Sequence, residues 1–299
     1  MEKLGLLAAF GTAVCWAFSA IYFETASRKS SALAINFWKV VFAFIFLGIS
    51  GTVLRGVPFP WDAPPRTWLF LSLSGLVGFV VADYFLFNAY VMIGSRITVV
   101  FQSLTPVFTS ALAFVFLGER MRLERLAGMV VTVGGILLVV LTRARHAQHE
   151  EQAGHANAGL LFALFAALFQ AGGMVLTKAG IGTYSAVSAT QIRTLVAIAG
   201  FGIQALVLGQ ADFVLREVPK KREAFIPGIK GAVFGPFLGV ALSLFSLQHT
   251  QAGATSTLMA MTPVVIILPS VFMLKQKVHA GEILGAAIAV AGAALFFLL

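Results

Sequence analysis

Ten mostly apolar stretches alternate with short polar connections along the chain, at 4–23, 33–54, 67–92, 97–117, 123–142, 157–177, 186–209, 226–248, 254–274 and 280–299. At 1.5 Å per residue, about 20 such residues cross the hydrocarbon of a bilayer, so each stretch predicts a membrane-spanning helix. The longest connections are 55–66, with Pro58, Pro60, Pro64 and Pro65; 143–156, with three His and two Glu; and 210–225, with Lys220, Lys221 and Arg222. None has the length of a soluble domain. The first stretch reads as a span and not as a cleavable signal, because no A-x-A site follows it and Trp16, Tyr22 and Glu24 sit near its far end.

Composition agrees with this pattern. Of the 299 residues 59% are hydrophobic and 11% charged, and the mean hydropathy is +0.92. Soluble domains carry about 25% charged residues, so a cytosolic enzyme, a disordered chain and a disulfide scaffold are excluded. Cys15 is the single cysteine and leaves no intrachain disulfide and no cysteine metal site. The net charge of +9 is scattered between apolar runs, as expected for basic residues at span ends. Nucleic acid is therefore not an expected partner.

The connection 143–156 divides the chain into five spans and five, and the halves repeat. A shift of 157 places Leu104-Thr105-Pro106-Val107 on Met261-Thr262-Pro263-Val264, Gly128 on Gly285, Gly135 on Gly292, and Glu119-Arg120 on Gln276-Lys277. Nearer the start of each half, a shift of 154 places Gly5-Leu6-Leu7 on Gly159-Leu160-Leu161, Trp16 on Gln170 and Lys39 on Arg193. An odd number of spans per half requires the second half to lie inverted. The expected units are residues 1–142, a polar connection 143–156, and residues 157–299.

Polar groups at bilayer depth cost several kcal/mol unless they are paired or face a cavity. Asp83, in the third stretch, is the sharpest of them: ionised it needs a cation, and neutral it can carry a proton. Pairing with Lys39 is the structural alternative. Lys39 and Arg193 are equivalent repeat positions that either frame an anion-attracting cavity or snorkel to the headgroups. Pro106 and Pro263 are also equivalent, and each must kink its helix by freeing the carbonyl four residues back, at Gln102 and Met259. A freed carbonyl has to face protein or water, which aims both kinks at an internal cavity.

Trp16, Tyr84, Asn88, Gln102 and Gln170 add polar or amphipathic groups suited to an organic ligand. The small residues Gly128 and Thr132, and Gly281, Gly285, Ala289 and Gly292, are helix-packing stripes that need no ligand. His146, His149 and His155 read as a solvated loop, so no metal is expected. The chain has no G-x-x-x-x-G-K-[ST], H-E-x-x-H or G-x-S-x-G motif, so neither catalysis nor a cofactor is expected.

Three passages carry a resemblance to a known family: Gly78-Phe79-Val80-Val81-Ala82-Asp83 with Leu86-Phe87-Asn88-Ala89; Gln102-Ser103-Leu104-Thr105-Pro106-Val107 running to Phe116-Leu117-Gly118-Glu119-Arg120; and Gly235-Pro236-Phe237-Leu238-Gly239 through Met261-Thr262-Pro263-Val264. In these the chain resembles the drug/metabolite transporter superfamily, specifically the EamA-type ten-helix carriers, over essentially its whole length. The second copy departs from the family pattern at Lys275-Gln276-Lys277, where the family often has Lys-Glu-Arg.

The resemblance implies an all-α membrane protein, a 5+5 inverted repeat around a central cavity, which moves a small organic metabolite by alternating access. Amino acids, in the export direction across an inner membrane, are the expected cargo. Lys39, Arg193, Tyr84, Asn88, Gln102, Trp16 and Gln170 are the expected substrate contacts, Asp83 the ion-coupling site with protons as the ion, and Pro106 and Pro263 the hinges. Facilitated diffusion is the alternative to coupling, and monomer and homodimer both stay open. A proton-coupled multidrug exporter of cations, and a non-transporting subunit or lipid-substrate enzyme, are the competing readings. The family pattern puts both termini in the cytoplasm, whereas the Lys and Arg count over the second half leans the other way.

Overall fold

The structure is a computed structural model that describes residues 1–27, 29–146, 156–274 and 278–298. Arg28, residues 147–155 with His149 and His155 of the polar connection, and Lys275, Gln276 and Lys277 lie outside the described residues. The first half holds α1 (Glu2–Ser27), α2 (Ala32–Arg55), α3 (Pro65–Gly75), a π-helical segment Leu76–Val81, α4 (Ala82–Gln102), α5 (Thr105–Leu117) and α6 (Leu123–His146). The second half holds α7 (Ala156–Ile181), α8 (Ala186–Val207), α9 (Ala211–Lys220), α10 (Arg222–Ala232), a second π-helical segment Val233–Gly239, α11 (Val240–His249), α12 (Ala252–Met259), α13 (Thr262–Val265), α14 (Ile267–Leu274) and α15 (Ala280–Leu298). Among the described residues, nine stretches are long and apolar enough to cross a membrane, and Thr105–Leu117 is a shorter apolar helix. The fold is an all-helical membrane bundle with a duplicated repeat.

Local chemistry sets the helix ends. The Ser31 hydroxyl accepts from the Ala34 N–H at 3.1 Å and caps α2, and Gly56 at φ 69° ends it in the left-handed region that glycine tolerates without strain. The chain reverses between Ile93 and Ala113, although helical hydrogen bonding continues through Ala82–Gln102. Gly159, near the start of α7, packs on Met92 and Ile93, whereas Ala113 of α5 clusters with Met174 and Val175 much further along α7. The third and fourth stretches are thus antiparallel neighbours along one helix. Residues 210–225, expected as a plain connection, contain α9, whose Val214 is buried and whose Val214 carbonyl accepts from Trp38 Nε1 at 2.9 Å.

The halves pack by exchange. In the first half α3 and its π segment lie on α7 and α8; in the second, α10 and its π segment lie on α1 and α2. The same swap reproduces individual hydrogen bonds. Ser74 Oγ donates to the Gly173 carbonyl at 2.7 Å, and Ser19 Oγ donates to the Gly231 carbonyl at 2.9 Å. Residues 19 and 173 are equivalent by the 154 shift, and 74 and 231 by the 157 shift. The π segments also coincide under the 157 shift, so the widened turn is a property of the repeat.

Helices α6 and α15 close one flank of the bundle through their small-residue stripes. A Cβ added to Gly135 would stand 2.4 Å from the Ala289 nitrogen, and one on Gly292 would stand 2.6 Å from the Thr132 nitrogen. Backbone at that distance cannot move aside as a flexible side chain could. Gly135→Val should therefore destabilise the protein by about 1–3 kcal/mol or more, read as a lower melting temperature in detergent. Gly134→Ala, whose new Cβ meets nothing within 4 Å, should leave the melting temperature unchanged or slightly raised.

Candidate functional site

A central cavity of about 450 Å³ lies where the two halves meet, within the range of about 300–1,000 Å³ typical of small-molecule sites. Trp16 of α1, Lys39 of α2, Asp83 of α4 and Gln170 of α7 line it, with Gln102 at the end of α4 and Pro263 in α13. The π segments contribute Gly78 and Phe79 from one half and Pro236 from the other. The widened turns thus lie on the cavity wall. The α4–α5 and α12–α13 breaks lie there too, bringing Thr105, Met259 and Thr262 to the same space.

Lys39 Nζ and Asp83 Oδ2 are 4.0 Å apart, with side chains 16% and 21% exposed. That separation is at the limit of an ion pair, so each charge offsets part of the other's desolvation while keeping room for a third group. Lys39 Nζ also lies 5.6 Å from the centre of the Phe23 ring. The pairing does not recur in the second half, because the 157 shift places Val240 at the position of Asp83, and Val240 is buried in an apolar cluster with Ile192.

The two prolines act as sequence reasoning requires of the backbone, with different local solutions. Each sits in the first turn of a new helix, after a break at Ser103–Leu104 or Ala260–Met261. The Met259 carbonyl, which Pro263 cannot reach, accepts from Thr262 Oγ1 at 2.9 Å. At the equivalent break, Gln102 Nε2 and Thr105 Oγ1 are buried without a hydrogen-bond partner, and both residues line the cavity. A buried amide and hydroxyl left unmade cost free energy that a polar ligand can recover.

Four expected residues are not brought into the lining. Arg193 is 6% exposed, lies against Gly75 and Gly78 of the neighbouring repeat, and holds its guanidinium 4.6 Å from the Phe79 ring centre. It supports the wall from behind. Tyr84 is one residue, or about 100° of helix, from Asp83 and faces Phe162 of α7 at 50% exposure. Asn88 Nδ2 donates to the Tyr84 carbonyl at 2.7 Å on that same outer side. Pro106 is buried within α5, one residue beyond the lining Thr105. Sequence reasoning passed over Phe79, Thr105, Pro236 and Met259 as contacts; the available signal was the place of Phe79, Thr105 and Pro236 in the quoted passages and the carbonyl that Pro263 frees at Met259.

On the side of the bundle that carries the termini, polar contacts tie the halves together. Arg55 pairs with Asp62 and donates to Ser188 Oγ at 2.5 Å, Tyr184 Oη donates to Asp62 Oδ1 at 2.8 Å, and Gln191 Nε2 donates to the Pro58 carbonyl at 2.9 Å. Lys178 pairs with Glu119 and donates to the Thr250 carbonyl, while Glu119 Oε2 accepts from the Ala252 N–H at 2.8 Å and caps α12. On the opposite side, the cross-half polar contacts among the described residues include Lys29 with Glu223 at 3.2 Å and Trp38 with Val214. The hydrogen bond from Tyr184, and after it the one from Arg55, holds the Asp62 carboxyl below the ordinary aspartate value. Burial pushes the Tyr184 phenol up.

The chain is similar to known proteins in sequence and in fold. A model of the EamA-like transporter family matches residues 3–141 and again residues 157–298. A WAT1-related protein of Arabidopsis thaliana is 27% identical over 106 residues, and the match spans 33% of this chain and 29% of that protein. A solved structure described only as "Crystal structure of protein" superposes with a TM-score of 0.75 at 19% identity, covering 98% of this chain and 96% of the other. That last likeness is one of fold alone.

Lys39→Gln and Asp83→Asn should each lower stability by about 2–3 kcal/mol, and the double variant should lose less than the sum, because each single change strands one charge at membrane depth. Melting in detergent measures this, and strict additivity would show that the two groups do not interact. For Asp62, the depressed value means that its contribution is present above the unfolded pKa and is lost as pH falls through the folded one. Wild type should therefore melt above Asp62→Asn at neutral pH, with the gap closing only below the ordinary aspartate range.

Proposed function

Because the chain belongs to the EamA-like transporter family, we propose that it exports a small zwitterionic metabolite, an amino acid, by alternating access of the central cavity. The observation that carries this reading is an acid and a base 4.0 Å apart in a cavity lined also by Trp16 and Phe79. A substrate carboxylate would meet Lys39 and its ammonium Asp83, each substrate charge replacing half of a loosely made pair. The unpartnered Gln102 amide and Thr105 hydroxyl would complete the polar shell, and the two aromatic rings would receive the side chain. A carbon-rich cation fits less well, since Lys39 stands beside the only carboxylate in the lining among the described residues.

The same geometry supports a cycle. With substrate absent, Asp83 would take either Lys39 or a proton, which makes it the coupling residue of the reading. Contacts across the halves favour a state closed on the termini side, and Lys178 with Glu119 would have to part for the opposite state. The breaks ahead of Pro106 and Pro263 would absorb the bending. The reading places the protein in an inner membrane with both termini in the cytoplasm, so the closed side is the cytoplasmic one.

Counterflow of radiolabelled amino acids in proteoliposomes tests the proposal. Asp83→Asn should cut transport by roughly tenfold or more and flatten its pH dependence, since a charge-assisted contact is worth about 1.5–3 kcal/mol. Lys39→Gln should raise the KM for amino acids while leaving their methyl esters little affected. Full transport with unchanged pH dependence in Asp83→Asn would remove its coupling role, and no amino-acid counterflow by the wild type would remove the cargo.

A further inference from the structure

A second concavity, of about 520 Å³, opens on the termini side, away from the central cavity. Arg120, Arg122, Arg125, Lys178 and His249 line it, and Glu2 is the acid among its lining residues. Two of these cations are already engaged: Arg125 pairs with Glu2, and Lys178 with Glu119. Arg120 and Arg122 are exposed and make no ion pair among the described residues. Arg125 is only 11% exposed, yet its Nε is buried without a hydrogen-bond partner. The main chain at Arg120 is held in place, because its carbonyl accepts from Gln251 Nε2 at 2.8 Å.

Both halves build the pocket, with the three arginines from the first and Lys178 and His249 from the second. Its residues sit at helix ends: Glu2 opens α1, Arg125 follows the start of α6 at Leu123, Lys178 precedes the end of α7 at Ile181, and His249 ends α11. A bundle that crosses the bilayer holds such positions at the level of the lipid headgroups. Guanidinium forks match the geometry of phosphate oxygens, and several at one concavity offer bidentate contacts to a single dianionic or monoanionic phosphate.

We propose that this pocket is a phosphate-recognising site, occupied by the headgroup of an anionic phospholipid or by a free phosphate-type anion. Because its ligands come from both halves, occupancy holds them together on the termini side and slows the opening that transport requires. The site lies outside the substrate cavity, and its test does not depend on the cargo.

Thermal melting of the purified protein, followed through its tryptophans at constant ionic strength, reads the site directly. Short-chain phosphatidylglycerol should raise the melting temperature of the wild type, while phosphatidylcholine should not. Arg120→Gln/Arg122→Gln should weaken the apparent affinity by roughly tenfold or more while melting normally without lipid. Inorganic phosphate producing the same saturable shift would identify a free anion as the occupant; a shift with the lipid alone would identify the headgroup. No shift with either, or equal shifts in the wild type and the double variant, would overturn the site. Should the double variant fold poorly, Arg122→Lys serves in its place, retaining charge but losing the fork and hence part of the affinity.

Discussion

Hydrocarbon offers no hydrogen-bond partner, so a chain inside it stays helical except where protein or a cavity receives the backbone groups it frees. Four departures from regular helix in the membrane-spanning part of this chain meet that constraint at the cavity. The π segments Leu76–Val81 and Val233–Gly239 supply Gly78, Phe79 and Pro236 to the cavity wall, and the breaks before Pro106 and Pro263 end at Thr105 and Thr262 on the same surface. One break is repaired, by Thr262 on the Met259 carbonyl. At the other, a buried amide and hydroxyl stay unmade in two residues that line the cavity.

Duplication provides the scaffold, and divergence provides the chemistry. Equivalent residues make equivalent cross-half bonds at Ser19 and Ser74, and equivalent prolines break equivalent helices. The charges do not follow the symmetry. Asp83 has Val240 as its counterpart, so Lys39 meets a carboxylate while Arg193 is packed against Gly75, Gly78 and Phe79. An inverted repeat with identical halves would have a symmetric cavity, whereas this one carries its acid and its base on a single half. A zwitterion would then bind in one orientation.

The two sides of the bundle differ as well. Arg55, Asp62, Tyr184 and Gln191 form one seam on the termini side, and Glu119, Lys178 and Ala252 form another. These contacts are polar, and the ion pairs among them are partly exposed. The apolar packing of α6 on α15, by contrast, brings backbone within van der Waals range and offers no alternative arrangement.

The sequence by itself determined the membrane class, the apolar spans, the duplicated order and the close packing of the glycine stripes, because hydrophobic length, odd span number and small-residue spacing are local properties. It also singled out Lys39, Asp83, Gln102, Trp16, Gln170 and Pro263, all polar, aromatic or backbone-breaking groups at bilayer depth. Only the tertiary structure decided which of them share a cavity. Arg193 and Lys39 are indistinguishable by repeat position, and their fates differ because of what stands opposite, Gly75, Gly78 and Phe79 in one case and a carboxylate in the other. Tyr84 and Asn88 share a helix with Asp83, but rotation about its axis turns them toward α7. The tie between Lys178 and Glu119 joins residues 59 positions apart across the two halves, a juxtaposition that follows from how the halves dock and from nothing written along either one.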